Sequence, residues 1–220
     1  MSASAPSRKW LISLLFVALT VAVSSAVMAS RVDPSRVVLK KLEAAGELSK
    51  QTEREIGEAI EQARRVSIVA GVAGGVVGVP LGVLVLALGL RVMAWILGRS
   101  LSFSDAIETS AEGALPIGVG SAVWLISALN QRVLSAEMAK TLVPSSAAAW
   151  VSVSSDAMQR WLPSLDVFWF ASVTLVALGF ARSTALRREL SVAMLLSLYL
   201  LGTAALHIGV RGLAPMGGGS

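Results

Sequence analysis

The sequence has no cysteine, one histidine, one tyrosine and few charges. Without cysteine there are no disulfides, no thiolate nucleophile and no cysteine-bound metal. The charged fraction is 15%, against about 25% in a soluble domain. Folding in water would leave too little polar surface to cover the outside. The 220 residues suffice for one domain. With 55% apolar residues and a mean hydropathy of +0.71, the bilayer is the natural solvent.

A spanning helix needs roughly 20 apolar residues. Trp10 to Ala29 supplies 20 without a charge, Val66 to Leu90 25, Gly113 to Gln131 19, and Leu190 to Val210 21. A further run, Val167 to Ala181, reaches full length if its helix starts near Ser164, after Pro163, with Asp166 in the headgroup layer. The sequence therefore predicts an all-α polytopic bundle of about five spans. They occupy 10–29, 66–97, 113–132, 164–182 and 190–210, with a nine-residue N-terminus and a 211–220 tail. The first run also has the form of a signal peptide, with Arg8 and Lys9 before it and Val27-Met28-Ala29 as a cleavage site. An uncleaved anchor is the preferred reading. The terminal Gly-Gly-Gly-Ser is set aside as linker-like.

The net charge of +5 is not gathered into a basic patch with interleaved aromatics, so nucleic acid is not an expected partner. The basic residues sit at the ends of apolar runs. Arg8, Lys9, Arg91, Arg99, Arg182, Arg187 and Arg188 set the topology, with the N-terminus inside and the C-terminus outside. The eight basic residues of 30–65 oppose this orientation. Arginine outnumbers lysine and Ala, Val, Gly and Leu dominate, which points to a GC-rich bacterial genome and a bacterial inner membrane.

Residues 30–65 read as a charged helical hairpin outside the membrane. Asp33-Pro34 is a helix start, Gly46 a stop, and Thr52 with Glu55 has capping-box spacing. The second hairpin helix is expected to continue into the second span. Residues 98–112 contain a short amphipathic cytoplasmic helix carrying Asp105, Glu108 and Glu112. Carboxylates at that spacing suit a hard cation, yet neither a histidine nor a further carboxylate completes the shell, and a wetted acidic face is expected. Within 133–163, the spacing of Trp150, Met158 and Trp161 predicts a helix lying on the outer surface. The basic turn 183–189 joins the last two spans.

Inside the membrane, Gly74, Gly78 and Gly82 recur every four residues, with Gly71 and Gly75 on a neighbouring face. Such spacing admits close helix packing, within the chain as the preferred reading or against a partner as the alternative, and this face and the 33–65 hairpin are the candidate interaction surfaces. Pro80 and Pro116 are candidate kinks. Asp166 and His207 are the candidate functional polar groups. No series of carboxylates crosses the midplane, which argues against a proton pump. Ser121, in Gly118-Val119-Gly120-Ser121, and His207 would be the nucleophile and base of an intramembrane serine hydrolase. At about 1.5 Å per residue, their predicted depths differ by roughly 13 Å, too far for a hydrogen bond. No catalytic residue, cofactor or metal ligand is assigned.

The layout from about 10 to 210 resembles the Yip-one (Ypt-interacting) family of polytopic membrane proteins, in its bacterial form. The resemblance rests on the charged segment from Gly46-Glu47-Leu48-Ser49 to Arg64-Arg65, a Gly- and Pro-containing span ending at Ile96-Leu97-Gly98, and Ser102-Phe103 before Leu115-Pro116. It also rests on Leu165-Asp166-Val167-Phe168-Trp169, Leu178-Gly179-Phe180-Ala181 and the turn from Arg182 to Leu186. It implies five spans, a cytoplasmic N-terminus and binding to other membrane or membrane-associated proteins; eukaryotic relatives associate with Rab-type GTPases. The expected function is a non-catalytic membrane scaffold or accessory protein, whose partners are the bilayer and other membrane proteins or further copies of itself. A transporter or channel component, with Pro80 and Pro116 breaking pore-lining helices, is the alternative.

Overall fold

A computed structural model describes residues 9–131, 143–151, 158 and 161–209, with side chains described as far as 206. Where a chain is bathed in hydrocarbon, every backbone polar group must find its partner inside the protein, and the α-helix achieves this within one segment. The principal helices are α1 (Lys9–Arg31), α2 (Ser35–Ala44), α3 (Glu53–Ala73), α4 (Val79–Ile96), α5 (Phe103–Gly113), α6 (Leu115–Leu129), α7 (Val167–Thr184) and α8 (Arg188–Gly209). There is no strand among the described residues; an isolated bridge joins Ser146 and Asp166. Five helical stretches are long and apolar enough to cross a membrane: Lys9–Arg31, Glu53–Ile96, Phe103–Leu129, Val167–Thr184 and Arg188–Leu206. Large apolar side chains such as Ile12, Val85, Trp95 and Leu201 are exposed on them. On a soluble domain this would be an aggregating surface; on a membrane protein it is the lipid-facing surface.

Local chemistry sets the helix ends. The Asp33 carboxylate accepts from the Ser35 amide (3.0 Å) and hydroxyl (2.7 Å), opening α2 just after Pro34. Gly46, at φ +67°, ends it: the Glu47 amide reaches back to Leu42 and the Gly46 amide to Glu43. This is the Schellman pattern, in which a glycine supplies the left-handed residue. Thr52 and Glu55 then make the reciprocal capping box, and α3 starts.

The helix begun at Glu53 continues to Ile96 through a π turn, Gly74–Gly78. Pro80 was expected to kink the second span. Its ring has no N–H to donate and crowds the carbonyl four residues back. The wider turn, in which the Val79 amide bonds Gly74, absorbs that misfit just upstream. Pro116 falls at the second position of α6, after Ala114 has closed α5, where a missing N–H costs little.

By backbone contacts the chain divides into two units: Met1–Leu15, Leu81–Ile117 and Pro144–Ser220 form one; Phe16–Pro80 and Gly118–Val143 form the other. In the first, α7 is the central helix, packed by α5 and α8. Its buried side is small or shape-matched: Ser172, Val176, Ala177, Phe180, Ala181 and Thr184. Phe180 and Val176 join Ala87, Leu90, Ala94, Leu101 and Ala106 in one core. Lipid is as apolar as leucine, so this packing is held by close van der Waals fit and buried hydrogen bonds rather than by expulsion of water. The Ser191 hydroxyl donates to the Ala177 carbonyl at 2.7 Å, and the Ser172 hydroxyl to that of Gly113.

Two expected elements differ. The helix foreseen across 144–163 is absent from its described first part. Residues 143–151 instead form turns and a 3-10 turn, Ala147–Ala149, pinned to the start of α7: the Ala147 amide bonds Leu165 and the Val167 amide bonds Ser145. Pro144 lacks an amide hydrogen, and the chain leaves it in a turn whose carbonyl accepts from the Trp150 indole at 2.9 Å. Met158, exposed, and Trp161 are helical, and residues 152–157 and 159–160 lie outside the described ones. The helix foreseen from Ser164 starts at Val167, because Pro163 sits in a 3-10 turn, Leu162–Ser164, and Asp166 is the N-cap.

Candidate functional site

Among the candidate polar groups, Asp166 has a structural task. One carboxylate oxygen accepts from the Phe168 amide at 2.8 Å and the other from the Ser145 hydroxyl. It both caps α7 and anchors the preceding loop. The same end of α7 is tied to α8 by the lone Tyr199, whose hydroxyl donates to the Ser164 carbonyl. Its ring lies 6.3 Å from Trp169, stacked, and 5.8 Å from Phe170, edge-on. The Trp161 indole donates to the Thr203 hydroxyl at 3.1 Å. His207 belongs to α8 with its side chain outside the described residues, and Ser121 is half-buried in α6.

The expected packing stripe is displaced by one face. Among the described residues, nothing lies within 4 Å of where a side chain would project from Gly74, Gly78 or Gly82. The close approach is made by Gly71 and Gly75: a Cβ on Gly75 would lie 2.4 Å from the backbone nitrogen of Ala22, and one on Gly71 2.9 Å from the Ser25 Cβ. Both faces carry glycine four residues apart, so spacing alone does not tell which one α1 occupies. Two glycines not expected as packing contacts serve the same purpose in the first unit. A Cβ at Gly113 would lie 2.2 Å from a Val176 methyl, and one at Gly179 2.7 Å from the Thr109 methyl. Thr109 and Gly113, small residues four apart, are the available sequence signal.

Arg31, at the end of α1, was not foreseen either. Its guanidinium donates to the carbonyls of Ala128 (2.9 Å) and Gln131 (2.7 Å), at the end of α6. The last carbonyls of a helix have no partner within it and carry its negative pole. Among the topology-setting residues, Lys9, Arg91, Arg99, Arg182, Arg187 and Arg188 are exposed, and Arg91 stands 5.8 Å over the Phe103 ring. Arg8 lies outside the described residues.

Asp105 and Glu112 of the acidic helix are exposed, and the opposite side of the helix is buried. The third apolar stretch begins at Phe103, ten residues before the charge-free run at Gly113. Ala106, Thr109, Ser110, Ala111 and Gly113 are buried, with α5 packed along α7. Thr109 meets Gly179 while Gly113 meets Val176, so the two helices run antiparallel. The carboxylates of α5 thereby line a groove of about 710 Å³ together with Arg182, Ser183 and Arg188. Its other wall residues include Ser13, Leu115, Leu175 and Leu178.

A family model for the Yip1 domain matches residues 2–209. No curated protein and no solved structure matches the chain. With nearly the whole sequence matched and five membrane-length apolar helices in the fold, the chain is an integral membrane protein and belongs to the Yip1 domain family.

Proposed function

We propose that this protein is a non-catalytic membrane scaffold or accessory subunit that binds other membrane proteins. The carrying observation is the open glycine face of Gly74, Gly78 and Gly82 beside the π turn. Glycine in a helix interior is destabilising by about 0.5–1 kcal/mol relative to alanine. Gly71 and Gly75 offset that through the approach of α1, whereas the open face meets none of the described residues. A partner helix docked there would recover it, because only small residues let two backbones come close in lipid. The charged surface of α2 and α3 is the second candidate contact.

Site-specific photo-crosslinking in native membranes tests this reading. A probe at position 78 should trap a defined membrane protein or a second copy, and a probe at the lipid-facing position 85 should not. Equal labelling at both positions would sink it.

We also propose that α1 is a retained anchor. Ala22 and Ser25 lie on Gly75 and Gly71, and Arg31 closes α6, so cleavage after Ala29 would strip the second unit of a packed helix. The intact mass of the membrane-extracted protein should include residues 1–29; a mature chain starting at Ser30 would refute retention.

An inner-membrane location with the N-terminus inside is proposed from the positive-inside bias. Ser13 and Arg182 line one groove, which supports placing the start of α1 and the α7–α8 turn on the same side. Because the chain has no native cysteine, a single cysteine at Ser183 should resist a membrane-impermeant thiol reagent in intact cells. Labelling there would reverse the orientation.

A further inference from the structure

The first unit holds its two polar ends close together along α7. Thr109 meets Gly179 and Gly113 meets Val176, which sets Glu112 level with Val176 and Ala177, well inside Arg182. Glu112 is exposed there, on the wall of the groove that Leu175 and Leu178 also line. Glu108, half-buried and partnered, and Asp105, exposed, follow one and two turns nearer the Arg182 end. On α8, the Ser191 hydroxyl bonds Ala177, so the exposed Arg188 and Glu189 lie within one turn of the same level. At the other end, Asp166 caps α7, and Trp169 stacks on Tyr199 just beyond it. Both aromatics are residue types of the headgroup boundary. From Asp166 to Ala177 the helix rises by about 16 Å, at about 1.5 Å per residue. An ordinary hydrocarbon core is about 30 Å thick. The charge-free runs Trp10 to Ala29 and Val66 to Leu90, with 20 and 25 residues, reach that thickness; the α5–α7 face does not.

We infer that the α5–α7 face thins the bilayer around it. Water and the phospholipid headgroups of one leaflet fill the groove as far as Leu178, and the headgroups of the other leaflet descend to Val167. Between these levels α7 meets only about 16 Å of hydrocarbon. A charged side chain within hydrocarbon is costly, and one at that depth faces water instead. A bilayer of ordinary thickness would serve one end and bury the other. Aligned on Asp166, it would submerge the exposed Glu112. Aligned on Glu112, it would submerge Asp166 and the loop whose backbone is pinned to it. The groove, at about 710 Å³, holds on the order of 20 waters at about 30 Å³ each. The partner of this face is therefore lipid, and the mismatch sorts the protein toward thin regions of membrane.

The test uses the full-length protein, which has no native cysteine, in dioleoylphosphatidylcholine nanodiscs open to solvent on both sides. Single cysteines replace Val167, Ala171 and Leu178, all exposed on α7, and each variant is reacted with a charged maleimide. Ser183→Cys, at the exposed end of the helix, is the wet reference. Val167→Cys and Leu178→Cys should react within about tenfold of that reference. Ala171→Cys, between them, should react about a hundredfold more slowly, because burial in hydrocarbon raises a thiol pKa by about two units or more. Each change replaces an exposed side chain, and only discs that elute as one species are compared. A dry rate at either Val167→Cys or Leu178→Cys would overturn the inference, since a bilayer of ordinary thickness buries one of the two. A fast rate at all three would also overturn it, and would make the face the wall of a continuous water channel.

Discussion

The guanidinium of Arg31 lies 2.9 Å from the carbonyl oxygen of Ala128, so the end of the first membrane helix closes the end of another 97 residues away. The contact couples an arginine that the sequence presents only as the boundary of an apolar run to carbonyls that would otherwise lack protein partners. Replacing Arg31 by alanine should lower the stability of the detergent-solubilised protein by about 1.5 kcal/mol, the lower end for hydrogen bonds to a charged group. Tryptophan fluorescence against temperature reads this directly. A melting curve unchanged from the parent would show that water replaces the guanidinium at no cost.

Gly75 and Gly78 sit on the same helix and should respond oppositely. Gly75→Ala drives a methyl into the backbone of Ala22 and should cost about 1–3 kcal/mol. Gly78→Ala enters open space and should leave the isolated protein equally or slightly more stable, by up to about 1 kcal/mol. Denaturation of the purified monomer measures both. A loss of stability from Gly78→Ala in the monomer would mean that the open face is filled within the chain.

Ala185 has φ +54°, a left-handed conformation in which a Cβ costs roughly 1–2 kcal/mol. It terminates α7, where the Leu186 amide reaches back to the Ala181 carbonyl at 3.2 Å. Gly46 and Gly98 hold the equivalent positions after α2 and α4. Ala185→Gly should therefore stabilise the protein by about 1 kcal/mol, and Ala185→Val should destabilise it. Thermal unfolding of the pair decides; stabilisation by valine would contradict the left-handed turn.

The Asp33 carboxyl is held below its ordinary value of 3.8, first by the Ser35 hydroxyl and then by the Ser35 amide. A lowered folded-state value means that its contribution is fully present above 3.8 and is lost as pH falls through the folded value. The start of α2 should thus be intact at neutral pH and fray only in acid below that range. Ser35→Ala removes the larger cause and should move the Asp33 titration upward, as followed by carboxyl carbon NMR. An unmoved titration would show that the amide bond alone holds the carboxylate.

The membrane class was legible from Trp10–Ala29, Val66–Leu90 and the later runs because hydrocarbon imposes a length and a composition on any segment that crosses it. The Thr52–Glu55 box and the stop at Gly46 were legible because each is satisfied within a few residues. The long helix through Pro80 was foreseen, its π turn was not: how a helix absorbs a proline depends on the freedom of the turn before it, here glycine-rich.

The sequence by itself determined what is local or solvent-imposed: five apolar stretches, the caps that bound them, and a family pattern spread over residues 2–209. Tertiary structure decided which glycine face meets α1, that Arg31 closes α6, and that Asp166 is a cap. It also packed α5 antiparallel along α7, so that residues of both helices line one groove. The physical reason is rotational. Adjacent faces of a helix carry the same residue types, and only the approach of a second helix selects between them.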